Sequence, residues 1–407
     1  MAVYLLATLD TKGHEADHLR QRLVEIGVDV KLVDVGCLGS PQVVADIDRR
    51  EVYQAAGESW EALVAQADRG TAVTAAAKGA ERLIQTALAN QQVDGVLSLG
   101  GSAGTTIGTA AMRSLPLGVP KLMISTLASG DVRGFVGASD ILMLHSVVDI
   151  AGVNRISRRI LNEAAAAMAG MVRFQKMGSS AADKPIIAAT MFGVTTPCIE
   201  VARSVLEAAG FEVLVFHATG SGGQAMEKLI QDGLVAGVLD ITTTEIADEL
   251  VGGVLSAGPS RLTAAGRAGI PQVVSVGATD MVNFWALPTV PKPFADRQLY
   301  KHNDNITLMR TTAEECHAIG QDIGGKLSQA QGAVSILLPA KGVSAIDAKG
   351  QPFDNPAARN QLFDAIRHGV ANSSVEVLER DEHINDASFA EFAAHKLIQL
   401  LQTNKPS

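Results

Sequence analysis

Residues 5–36, LLATLDTKGHEADHLRQRLVEIGVDVKLVDVG, and residues 186–220, IIAATMFGVTTPCIEVARSVLEAAGFEVLVFHATG, follow one plan. In each, a short apolar run ends in Ala-Thr (Ala7-Thr8, Ala189-Thr190). A polar turn then opens a helical segment, a glycine closes it (Gly27, Gly210), and a second apolar run follows. Apolar runs with little polar alternation, separated by helices, are strands buried on both faces of a parallel sheet. The reading predicts strands at residues 3–7 and 30–35, with a helix from about His14 to Ile26 capped by Asp10-Thr11.

Working outward, the likeness continues in the same order. VDGVLSLGGS from Val93 matches VAGVLDITTT from Val235, and GVPKLMIST from Gly118 matches GIPQVVSVG from Gly269. Three matched pairs in one order indicate an internal duplication. The predicted fold is α/β: two Rossmann-like lobes with parallel sheets flanked by helices. The small polar stretch MGSSAADK, residues 177–184, separates a first lobe at residues 1–178 from a second at 184–407. After about Asp280 the second lobe carries extra material. It comprises a Pro-rich loop (287–294), strands at 333–338 and 375–378, and a terminal helix from about Ala387 to Leu401.

Composition narrows the function. The 407 residues carry 34 Lys and Arg against 43 Asp and Glu, a net charge of −9, so no basic face is expected for nucleic acid. Aromatic residues are 4% of the chain, too few for a base-stacking platform. The three cysteines (Cys37, Cys198, Cys316) are far apart and odd in number, which argues against a disulfide framework or a structural zinc site. No run approaches the roughly 18 apolar residues of a membrane span, and the N-terminal MAVYLLATLD lacks the basic segment of a secretory signal. The expectation is a cytoplasmic protein with no nucleic-acid or membrane partner.

In a doubly wound sheet, ligands bind beyond the carboxyl ends of the strands. Three first-lobe segments fall there. Thr8-Leu9-Asp10-Thr11-Lys12-Gly13 offers a helix N-terminus and a lysine for a phosphate. Gly100-Gly101-Ser102-Ala103-Gly104-Thr105-Thr106 is a glycine-rich turn whose N–H groups can line an anion nest, although it is neither a P-loop nor a full GxGxxG. Ser125-Thr126-Leu127-Ala128-Ser129-Gly130-Asp131 is rich in hydroxyls, and Asp131 suits a nucleotide hydroxyl or Mg2+. Each alone is also compatible with an ordinary capped turn.

The second lobe has its own glycine loop, Gly220–Gly223, a second candidate anion cradle. Ionisable residues cluster after its expected strands, among them His217, Glu245, Asp280, His302, Arg310 and Lys341, as a general acid–base site requires. Cys198 follows Pro197 at a helix start, where a thiolate is favoured, but a small buried thiol fits equally. No HExxH, paired CxxC or GxSxG motif is present.

Ten blocks in order, including ATLDTKG, LGGSAGT, ISTLASGD, FHATGSGGQAME, DITTTEIADEL, SVGATDMVNFW, HNDNITLMRTT and LLPAKGVSAID, resemble the Tm-one-like ATP-binding domain family nearly from end to end. The resemblance implies a homodimer of two Rossmann-like subdomains with ATP in one of them. By position it puts the nucleotide on Asp10, Thr11, Lys12, Gly100, Gly101, Ser102, Gly104, Thr105, Ser129, Gly130 and Asp131.

The resulting expectation is a metabolic enzyme that uses ATP–Mg2+ on a small anionic metabolite in an interlobe cleft. His217, Glu245, His302 and Lys341 would contact substrate or move protons. Two alternatives stand beside it: a nucleotide-responsive protein without turnover, and an ATP-independent enzyme acting on a small organic acid.

Overall fold

A computed structural model describes residues 1–37, 39–66, 68–177 and 183–403. The chain divides into two compact units, Met1–Ala181 and Ala182–Ser407. Most of the polar stretch expected between the lobes, residues 178–182, lies outside the described residues.

The first unit runs β1 (Ala2–Ala7), α1 (Leu9–Glu25), β2 (Val30–Asp34), α2 (Arg49–Ala56), α3 (Trp60–Gln66), α4 (Arg69–Ala89), β3 (Val93–Gly100), α5 (Ser102–Arg113), β4 (Lys121–Ser125), α6 (Arg133–Val136), β5 (Leu142–His145) and α7 (Arg155–Met177). Its five strands form a parallel sheet in the order β2-β1-β3-β4-β5. Side chains alternate across a strand, so β1 feeds two cores. Tyr4 and Leu6 pack with Val52, Ala76 and Ile107, while Val3, Leu5 and Ala7 pack with Leu19, Leu161 and Met168. Both faces are therefore dry, which is why the strand reads as an unbroken apolar run. Each fully buried leucine contributes about 1.5–3 kcal/mol.

Helix α1 starts earlier than its sequence pattern suggests. The Thr8 carbonyl accepts from the N–H groups of Thr11 and Lys12, which forms a first turn. Lys12 then leaves the helical path at φ −128°, and regular helix resumes at Gly13.

The second unit runs β6 (Ile186–Met191), α8 (Thr196–Ala208), β7 (Glu212–His217), α9 (Ser221–Gln231), β8 (Gly237–Thr242), α10 (Thr244–Val251), α11 (Ala264–Ala268), β9 (Gln272–Gly277), β10 (Met281–Phe284), β11 (Leu299–Lys301), β12 (Thr307–Arg310), α12 (Ala313–Leu327), β13 (Val334–Pro339), α13 (Pro356–Val370), β14 (Glu376–Arg380) and α14 (Ala387–Thr403). Six strands form a parallel sheet in the order β14-β13-β9-β8-β6-β7. Strands β10, β12 and β11 form a separate antiparallel sheet. The strands matched by sequence (β1 with β6, β2 with β7, β3 with β8, β4 with β9) hold equivalent places in the two parallel sheets, as a duplicated lobe requires.

Helices α12 and α13 meet at backbone distance. A Cβ built on Gly324 would lie 3.0 Å from the Gly369 Cα, and one on Gly320 would lie 2.5 Å from the Leu362 carbonyl oxygen. Among the described residues, no helix is long and apolar enough to cross a membrane.

Candidate functional site

The strand order of the first unit reverses between β1 and β3, because β1 leads back to β2 on one side while β3 leads on to β4. The helices after β1 and β3 leave on opposite faces, and a crevice opens between their N-termini. Neither cap residue closes its own helix: Thr8 and Gly101 hold the cap positions of α1 and α5 without a side-chain cap bond, while on α1 the Leu9 N–H donates to Asp34 at 3.3 Å. Their first-turn N–H groups and dipoles favour negative charge.

The glycines of the second segment serve two ends. A Cβ on Gly100 would sit 2.8 Å from the Gly104 Cα, and one on Gly104 would sit 2.9 Å from the Leu99 carbonyl oxygen, so both are needed for the sharp strand-to-helix turn. At Gly101 the nearest atom is the Thr126 hydroxyl at 3.7 Å, so packing does not demand glycine there. Thr105 is fully buried, and its hydroxyl lies 2.7 Å from that of Ser125, tying α5 to the end of β4.

Between these turns lies a cavity of about 380 Å³, lined by Thr8, Asp10, Thr11, Lys12, Gly101, Ser102, Ala103 and Gly104 and walled further by Cys37, Gly39, Arg69 and Asp149. Its walls are anchored. The buried Arg49 donates to Asp34 at 2.6 Å and to the Gly39 carbonyl, which fixes the loop after β2. Gly39 N–H donates to Asp10 at 3.1 Å. Lys12 donates to the Ile150 carbonyl and the buried Glu15 accepts from Gly152 N–H, which draws the loop after β5 onto α1.

Six of the eleven expected nucleotide residues line this cavity: Asp10, Thr11, Lys12, Gly101, Ser102 and Gly104. Gly100 and Thr105 lie just behind it, in the turn and its support. Ser129, Gly130 and Asp131 are not among its lining residues. Asp131 is exposed and bonded to Arg133 at 2.6 Å, and that side-chain bond draws its carboxyl down to about 2. Thr8 and Ala103 belong to the two segments read from the sequence, whereas Cys37, Gly39, Arg69 and Asp149 were not selected by it. Cys37 and Gly39 follow a strand that was read, so the strand-end rule reaches them. Asp149 follows β5, whose four residues leave little signal, and Arg69 opens a helix with no motif.

The four candidates of the second unit are not gathered. Lys341 follows β13 and His217 ends β7, four strand spacings apart in the sheet order, or about 19 Å at the usual 4.8 Å per strand. His302 lies on the loop between β11 and β12 of the other sheet. His217 is exposed and stacks on Phe192 at 5.5 Å, and Lys341 pairs with Asp381 at 3.1 Å.

Glu245 is fully buried and accepts from Gly220 N–H at 2.7 Å, Gly223 N–H at 3.1 Å and Arg261 Nε at 2.7 Å. The second glycine loop thus cradles an anion, and that anion is the protein's own carboxylate. Burial raises the Glu245 carboxyl, with Arg261 opposing. Burial works against the Arg261 charge, but Asp240, Glu245 and Glu227 outweigh it. At the place equivalent to the first unit's crevice, hydroxyls meet instead: Thr195 and Thr242 lie 2.8 Å apart, and Thr190 donates to Asp240 at 2.7 Å.

Asp280, Asn283 and Arg310 are buried. Cys198 is fully buried, and burial pushes its thiol up to about 12, so it is a packed side chain. Among the described residues no three His, Cys, Asp or Glu side chains gather as a metal-ligand set.

Comparison with known proteins adds kinship. The N-terminal domain model of an uncharacterised protein family, UPF0261, matches residues 1–177, and its C-terminal domain model matches residues 184–401. A UPF0261 protein of Clostridium tetani is 48% identical over 400 residues, covering 98% of this chain and 99% of that protein. The ToMV resistance protein Tm-1(GCR237) of Solanum lycopersicum is 40% identical over 418 residues, covering 98% of this chain and 55% of the tomato protein. Among solved structures, a UDP-N-acetylglucosamine 2-epimerase from Rickettsia bellii covers 99% of this chain and 96% of its own at 8% identity and a TM-score of 0.23, a likeness too slight to bear on activity.

Proposed function

The chain belongs to the UPF0261 family, and from that premise we propose that its first unit binds ATP with Mg2+ in the crevice above β1 and β3, for use on a small anionic metabolite. The observation that carries this reading is the cavity between the starts of α1 and α5, with the N-terminus of α5 left without a cap-residue side-chain bond. Its volume falls within the roughly 300–1,000 Å³ of small-molecule sites. Its chemistry suits a magnesium nucleotide. N–H groups at the start of α5, with Lys12 and Arg69, would face the phosphates. Asp10 and Asp149 would serve the cation or the ribose hydroxyls. An ammonium carries three donors, so Lys12 can hold the Ile150 carbonyl and still reach a phosphate. Bound ATP would supply a transferable phosphoryl group. The residues above would supply position and charge, the main terms in such a transfer. A cytoplasmic homodimer belongs to the same reading, and light scattering tests the dimer.

A second reading, a nucleotide-responsive protein without turnover, is favoured by the scatter of His217, Glu245, His302 and Lys341 over the second unit. Calorimetric titration with ATP–Mg2+ tests both. Lys12→Ala should weaken binding roughly 10- to 100-fold, the value of a charge-assisted contact. Asp131→Ala should leave it unchanged, since Asp131 lies off the cavity lining. The reverse pattern would move the site to the third loop. Binding of organic acids in place of ATP would favour the ATP-independent alternative. Phosphate release from the same sample separates turnover from sensing.

A further inference from the structure

The loop that follows β13 folds back over the carboxyl end of β9 and is fastened there by three sets of bonds. Ala278 N–H donates to the Val343 carbonyl at 2.9 Å. Ser344 Oγ donates to Asp280 Oδ2 at 2.8 Å. Asp347 closes the loop on itself: its carboxylate accepts from Val343 N–H at 3.1 Å and from Arg359 at 2.9 Å through both oxygens.

Asp280 differs from Asp347 in what it receives. It is 2% exposed, and its Oδ1 has no hydrogen-bond partner among the described residues. Arg310 touches its backbone carbonyl at 3.1 Å and spends its other donors on Phe353, Thr311 and Asp347. Among the described residues the Ser344 hydroxyl is the side chain that donates to the carboxyl, and the Arg310 charge and the residue's own backbone N–H act on it more weakly than its burial. An ionised carboxylate so poorly supplied is expensive inside a protein, and the neutral acid costs far less.

Arg310 of β12 and Arg359 of α13 pair with Asp347 and Asp354, so Arg310, although it also draws the Asp280 carboxyl down, does not pair with it. The remaining ionisable groups nearby are Cys316 of α12, against the Thr311 hydroxyl at 3.3 Å; His383 after β14, on the Ser344 carbonyl at 2.9 Å; and Lys341, paired with Asp381. None supplies the carboxyl of Asp280. The turn before it is strained as well, since Ala278 sits at φ +57°, a region that costs a side-chain-bearing residue energy.

We propose that Asp280 is held as the neutral acid and that its lack of charge beside Asp347 lets the loop of residues 340–354 stay latched onto the end of β9. Loss of the proton sets a second negative charge beside Asp347 and loosens the loop, which gives the second unit a response to rising pH. In agreement, burial first and the Asp347 charge second raise the Asp280 carboxyl to about 7, against the opposing Arg310 charge and Ser344 bond.

The sign follows from linkage. A carboxyl whose folded pKa is raised contributes stability that is complete below its unfolded value, about 4, and is lost as pH rises toward the folded value. The test is the melting temperature of the full chain over roughly pH 5–9, for wild type and Asp280→Asn. The amide stands in for the neutral acid. Wild type should lose stability as pH rises, while Asp280→Asn should lose less and exceed wild type at the alkaline end. Equal pH slopes in the two proteins would overturn the proposal. Should Asp280→Asn not fold, the carboxyl carbon resonance of Asp280 in the wild-type protein decides. A titration near neutrality supports the latch, and an ionised carboxyl down to about pH 5 refutes it.

Discussion

At the scale of single residues, Glu245 shows how a strand-end carboxylate is turned from chemistry to structure. Its type and place after β8 fit a catalytic acid, and the sequence offers nothing against that reading. What decides is Arg261, which folds back over the carboxylate while Gly220 and Gly223 supply N–H groups from the other side. Breaking a buried ion pair by removing one partner costs about 3–5 kcal/mol. Glu245→Ala should therefore lose about that much stability, and millimolar phosphate or sulfate should restore part of it by entering the vacated cradle. Thermal melts with and without the anion check this, and a variant as stable as wild type would show that the network is not a keystone. Asp131 and Asp149 carry the opposite lesson. Asp131 stands in a conspicuous motif yet pairs with Arg133 in solvent, whereas Asp149 has no motif and lines the cavity.

At the scale of elements, the central parallel strands were legible because burial on both faces leaves no polar alternation to confuse the pattern, whereas the half-exposed edge strand β5 was not. The two helix N-termini were legible because the glycine turn and the Asp-Thr-Lys turn each follow such a strand. Helix α2 is opened by an Asp48–Glu51 capping box and closed by Gly57, but α2 to α4 fall outside the matched pairs, and β10 to β12 are three or four residues long beside a Pro-rich loop. Contacts across the small antiparallel sheet create those strands, and local sequence does not announce them. The turn from β3 into α5 gives a sharp test. Gly104→Ala places a methyl 2.9 Å from the Leu99 carbonyl oxygen and should cost about 1–3 kcal/mol while shifting the N-terminus of α5. Gly101→Ala meets nothing closer than 3.7 Å and should be nearly neutral in stability. Denaturation midpoints for the two variants, read beside their ATP titrations, distinguish a packing glycine from one that gives a ligand room.

At the scale of the whole molecule, the duplication legible in three matched sequence pairs reappears as a shared strand order. Each unit also has its own apolar cores, built from its own strands and helices. A polypeptide of residues 1–177 should therefore melt cooperatively by itself and keep the ATP affinity of the full chain within a few-fold. Circular dichroism and calorimetry on that fragment check both points. An unfolded fragment would mean that the first unit relies on the second for stability. The sequence could not show how far the two halves had diverged, because divergence lies in what fills each sheet edge and both edges are written in Gly, Thr and acidic residues alike.

The self-filled cradle at Gly220 and Gly223 has a consequence for stoichiometry. Two glycine loops in one chain invite the assumption of two equivalents of anion. With Glu245 already seated on the second loop, the glycine loops should take up one equivalent per polypeptide, and a homodimer should saturate at two.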